Sequence, residues 1–73
     1  MTKSEVKTGR YYATKISDKM TIVKIEAGSS RGGWTGRNIF TNRTVRIKSA
    51  TKLRGDVTAR GKRIERDMKE LGL

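Results

Sequence analysis

No cysteine and no histidine occur among the 73 residues of this chain, and nothing else in the sequence constrains its fold so strongly. Disulfides, thiolate metal sites and imidazole ligands are all excluded. A core of this size contributes only roughly 3–5 kcal/mol, so packing has to hold the fold without a staple. The same absences bear on function. A Ser-His-Asp triad and a Cys-His pair cannot be built. The acids Glu5, Asp18, Glu26, Asp56, Glu65, Asp67 and Glu70 are scattered and form no paired carboxylates. The expectation is a non-enzymatic chain with no cofactor and no metal site.

Charge supplies the positive half of the argument. Eighteen Lys plus Arg stand against seven acids, a formal net charge of +11. That exceeds the magnitude of about 2–8 usual for small domains. Such an excess attracts polyanions and repels other copies of the chain. Nucleic acid, DNA or RNA, is the first candidate partner. An anionic membrane surface is the second and an acidic protein the third. Apolar runs such as Ile22-Val23 are far too short to span a membrane. The start MTKSEVKTGR lacks the apolar stretch of a secretory signal. A cytoplasmic chain without a membrane partner is expected.

The surplus is uneven. Residues 1–55 carry thirteen basic and three acidic side chains, whereas residues 56–73 carry five and four. Arg63–Asp67, Glu65–Lys69 and Arg66–Glu70 have the i,i+4 spacing of helix surface pairs. The tail therefore reads as a solvated helix and the earlier part as the anion-binding body.

Residues 1–8 lack periodicity and read as a mobile arm. Arg10 to Ile16 and Met20 to Glu26 are β-branched and aromatic, with Ser17-Asp18-Lys19 as the turn between them. Ala27 to Gly33 forms a glycine-rich loop. Trp34 to Thr41 reads as a third strand weakened by Gly36, Asn42-Arg43 as a tight turn, and Thr44 to Lys48 as a cleanly alternating fourth strand. Ser49 to Arg54 fits one 3₁₀ turn and a short fifth strand. Asp56 or Thr58 can cap a helix over about 57–71, whose apolar face is Val57, Ile64, Met68 and Leu71. Gly61 weakens its first turn by about 1 kcal/mol relative to Ala, and Gly72 stops it. These elements predict a mainly β fold: a small SH3-like barrel of four to five antiparallel strands over 9–55 and a C-terminal α-helix over 56–73, the helix covering an open end or edge of the sheet.

A tight Asn42-Arg43 turn would place Phe40 opposite Val45, Asn38 opposite Ile47 and Arg37 opposite Lys48. Trp34, Asn38, Phe40, Val45 and Ile47 would then face the core, while Arg37, Ile39, Thr41, Thr44, Arg46 and Lys48 would face solvent. Like charges on one face cost folding energy, which an anion would offset. No acid lies between Arg31 and Gly55. The candidate phosphate contacts are Arg37, Arg46 and Lys48, with Lys24, Arg31, Lys52 and Arg54. The loop Gly28 to Gly33 can offer backbone N–H groups to a phosphate, although it lacks the Gly-Lys-Ser/Thr ending of a Walker loop. Tyr11 and Tyr12 are adjacent, so they point to opposite faces, and the exposed one, assigned to Tyr11, could stack on a base.

The run Gly32-Gly33-Trp34-Thr35-Gly36-Arg37-Asn38, with Thr41 to Ala50 and Lys52-Leu53-Arg54, resembles small uncharacterised bacterial and phage proteins that share a GGW…N…TxRxVRIKSA…LR pattern. The likeness covers roughly residues 9–54 and implies no settled activity. In fold the chain is similar to KOW and other SH3-like modules, which bind nucleic acid or the transcription and translation machinery. The KOW glycine pattern is missing, so the likeness is of fold and not of site.

Together these features predict a nucleic-acid-binding module of weak sequence specificity, held mainly through phosphates. The alternative is an adaptor or inhibitor that docks on an acidic host protein, associated with a polymerase or ribosome, through Ile64, Met68 and Leu71. A small core and an exposed helix stripe leave room for a homodimer.

Overall fold

In a computed structural model, which describes residues 2–29 and 32–72, the chain forms one open sheet and a C-terminal helix. The strands are β1 (Tyr11–Ile16), β2 (Lys19–Gly28), β3 (Trp34–Asn38), β4 (Thr44–Ile47) and β5 (Leu53–Asp56), followed by α1 (Thr58–Glu70). All neighbours are antiparallel, in the order β4-β3-β2-β1-β5. The expected mainly β class and the C-terminal helix are therefore present. The sheet, however, is not closed: β4 and β5 are free edges rather than paired barrel strands.

Local chemistry sets the connections. Ser17 and Asp18 both have positive φ, 49° and 64°, between the paired residues Ile16 and Lys19. Two such residues make a type I′ hairpin, whose twist matches that of the strands. Register shifts at Ile25/Ala27 and at Ala13/Thr14 bend the sheet, as bulges do. Gly33 has φ +77°, and a Cβ there would lie 2.3 Å from the Ile47 carbonyl oxygen, so only glycine lets the loop cross β4.

The β3–β4 register differs from the tight-turn expectation. Trp34 pairs with Ile47 and Arg37 with Thr44, so Asn38 and Arg43 close a longer loop through the Asn38 N–H to Arg43 carbonyl bond. The Asn38 side chain and carbonyl accept from Phe40 N–H and Asn42 N–H and end the strand early. Face parity survives within the strands, so Trp34, Val45 and Ile47 still meet the core. Beyond Asn38 it inverts: Ile39 is only 3% exposed and Phe40 is 51% exposed.

Both faces of the sheet are covered. The bent side encloses Tyr12, Val23, Ile25, Ile47 and Leu53 with Val6 and Ala50. On the other side Tyr11, Ile22 and Ile39 pack with Val57 and Ile64. The helix thus lies across a face of the sheet and not over an open end or edge. Residues 2–8 do not leave the body as an arm. Lys3–Glu5 makes a 3₁₀ turn, Val6 joins the core, and the Lys7 N–H donates to the Tyr12 hydroxyl at 2.7 Å. The helix ends where Gly72 adopts φ +76°.

Candidate functional site

Hydrophobic burial bends the sheet until its two edges converge. Ile47 of edge strand β4 and Leu53 of edge strand β5 belong to one core cluster, although β3, β2 and β1 lie between those strands in the ladder. No ladder hydrogen bonds join the edges, so a seam remains. A groove of about 310 Å³ runs along it, lined by Thr14, Lys15 and Ile16 of β1, Val45 to Lys48 around β4, and Lys52. A second groove of about 350 Å³ shares Lys15 and Lys52 and extends the seam past Ser17 and Asp18 to Arg54. A third, of about 460 Å³, shares Lys48 and extends it the other way, past Gly33 and the half-buried Trp34 to Lys3.

The track is cationic. Lys15, Arg46, Lys48, Lys52 and Arg54 are exposed, and none makes an ion pair among the described residues. Asp18 is the one acid among the described residues of the three linings. The backbone that carries these cations is fixed. Thr14, buried, donates its hydroxyl to the Lys52 carbonyl at 2.7 Å, and Ser49 caps the 3₁₀ turn Ala50–Lys52. Unpaired cations at short spacing repel one another, and a row of phosphates would relieve that repulsion while releasing counterions.

The sequence-expected residues divide between two places. Arg46, Lys48, Lys52 and Arg54 lie on the seam, and Lys15 joins them. Sequence reasoning missed Lys15 because the approach of β1 to β4 exists only in the bent sheet. Arg37 does not join the seam. Its side chain is half-buried, with Nη2 at 3.0 Å from Glu65 Oε2, Nη1 at 2.6 Å from Asn42 Oδ1 and Nε at 4.0 Å from Glu26 Oε2. The expected outward cluster of Arg37 with Arg46 and Lys48 is therefore broken by carboxylates of the same chain. Lys24 is likewise set apart, paired across the strands with Tyr11 and Arg37, its Nζ 5.8 Å from the Tyr11 ring centre. Arg31 lies outside the described residues.

Tyr11 is not the exposed tyrosine expected to stack on a base. It is 4% exposed and offers no face to a base, because α1 covers it. Its hydroxyl donates to Glu65 Oε1. Burial, and then this bond, push its pKa up to about 12. The expected i,i+4 pairing of Glu65 with Lys69 is absent among the ion pairs, since Glu65 turns toward the sheet instead.

Among the described residues no group of three His, Cys, Asp or Glu side chains could hold a metal ion, and no helix is long and apolar enough to cross a membrane. Searches against family models, curated proteins and solved structures gave no match to this chain.

Proposed function

We propose that this chain is a non-enzymatic nucleic-acid-binding module that grips a phosphate backbone in the open seam between β4 and the β1–β5 edge. The reading takes the sheet as an SH3-like barrel left unclosed, with the gap serving as the binding track. The observation that carries it is the set of five cations, Lys15, Arg46, Lys48, Lys52 and Arg54, that line two adjoining grooves sharing Lys15 and Lys52 and make no ion pair among the described residues. A groove with apolar walls (Ile16, Val45 and Ile47) and Trp34 beyond Lys48 suits a single strand better than a duplex. Sequence preference is weak, because phosphate contacts carry no base information. Such a module works where nucleic acid is, inside the cell.

Binding of labelled single-stranded and duplex oligonucleotides across a salt series tests the proposal. Five phosphate contacts give a log–log slope of about −3.5 for a single strand and about −4.5 for a duplex. An affinity that stays flat from low to physiological salt rules the reading out.

A further inference from the structure

A second surface lies away from the seam, around Phe40. The loop that closes β3 and β4 holds this residue out: Asn38 Oδ1 accepts from the Phe40 N–H at 3.0 Å, and Asn42 Oδ1 accepts from Arg37 at 2.6 Å. The exposed ring is thus presented by an ordered turn, not by a loose loop. It stands between two hollows. One, of about 660 Å³, is lined by Ile39, Phe40 and Met68, with Arg66 and Lys69 at its rim. The other, of about 220 Å³, holds Met20, Phe40 and Ile64 beside Arg60. Met20 is 59% exposed.

Charge decides what covers this patch. The one carboxylate among the described residues of either lining, Glu65, is already bound to Tyr11 and Arg37. Arg60, Arg66 and Lys69 remain as a cationic rim without ion pairs among the described residues. A second copy would bring this rim against a chain that also carries +11. An aromatic anchor flanked by flexible thioethers and ringed by one sign of charge is the form of a peptide-docking surface. We propose that the Phe40 patch docks an acidic amphipathic helix of a partner protein, its apolar face over Phe40 and Met68 and its carboxylates on Arg60, Arg66 and Lys69. This leaves the seam free, so the chain can hold a nucleic acid and a protein together.

The test is fluorescence anisotropy with two labelled synthetic peptides of equal composition. One carries Leu at i, i+3, i+4 and i+7 with Glu elsewhere, and the other is its scramble. The amphipathic peptide is expected to bind at least about tenfold tighter than the scramble, and Phe40→Ala or Met68→Ala to remove that tenfold, equivalent to about 1.4 kcal/mol. A Lys48→Ala/Lys52→Ala double variant is expected to bind the peptide within about twofold of the parent while losing oligonucleotide affinity, so the two readings fail separately. Circular dichroism establishes that each variant is folded. Equal binding of the two peptides, no effect of either apolar truncation, loss of oligonucleotide binding in Phe40→Ala, or a sedimenting dimer dissolved by Phe40→Ala would each overturn the proposal.

Discussion

Glu65 of α1 binds two groups of the sheet at once, taking the Tyr11 hydroxyl on one carboxylate oxygen and Arg37 Nη2 on the other at 3.0 Å. One side chain thereby fastens the helix to both β1 and β3. Truncation leaves a buried hydroxyl without its acceptor and takes one partner from a half-buried guanidinium that keeps Asn42 and Glu26. Glu65→Ala is expected to destabilise the fold by about 1–3 kcal/mol, read from urea midpoints, and Arg37→Gln by less. A Glu65→Ala variant as stable as the parent would show that the contact contributes nothing.

Alkali should reveal the same contact. The pKa of Tyr11 is raised from 10.0 to about 12 by burial and by Glu65. A group whose folded pKa is raised stabilises fully below its unfolded pKa and ceases to as pH climbs through the folded value. Stability is therefore expected to fall between about pH 10 and 12. Tyr11→Phe should flatten that part of the curve, and thermal melts across it decide the matter.

Acid acts at the start of the helix. Asp56 accepts from Arg10 Nε at 2.7 Å and from the Thr58 N–H at 3.0 Å, where it satisfies an N–H of the first turn. Arg10, then the Thr58 hydroxyl, hold its pKa down from 3.8 to about 2. A depressed carboxyl stabilises above its unfolded pKa, and the effect disappears as pH falls through the folded value. The parent should lose stability between about pH 4 and 2. Asp56→Ala should cost about 1 kcal/mol at neutral pH and lose less over the acid range, as melts at stepped pH will show.

Gly61 reverses the expectation from helix propensity. In an isolated helix Gly→Ala gains about 1 kcal/mol. Here a Cβ at Gly61 would meet the Tyr11 ring at 2.5 Å and the Tyr11 Cβ at 2.8 Å. Gly61→Ala is expected to destabilise by about 1–3 kcal/mol, as overpacking does. A rise in melting temperature would mean that the helix does not sit this close to β1.

On the seam, each lysine removed should take about 0.7 from the salt slope on single strands. Lys48→Ala and Lys52→Ala are expected to do so additively, and Lys15→Ala likewise. Arg37→Gln should lower stability and leave the slope unchanged, in contrast to what its place on an outer strand face suggests. Slopes from filter binding or anisotropy distinguish the two groups.

Much of the fold is legible in the chain. Thr44 to Ile47 alternates and is a strand, Ser17-Asp18 is a turn, and Val57 and Ile64 mark the face of a helix that packs. The site is legible only in part. Arg46, Lys48, Lys52 and Arg54 stand in the acid-free stretch that points to them. Lys15 carries no such signal, and Arg37 carries a false one.

The succession of strands along the chain, the helix and the excess of positive charge follow from the sequence alone, because alternation, turn chemistry and ionisation are properties of a residue and its near neighbours. Tertiary structure decided which cations stay free. Bending brought Lys15 to Lys48 and Lys52, and docking of α1 carried Glu65 to Arg37 and Tyr11. Residues 28 to 54 positions apart met there through burial, which no spacing along the chain encodes.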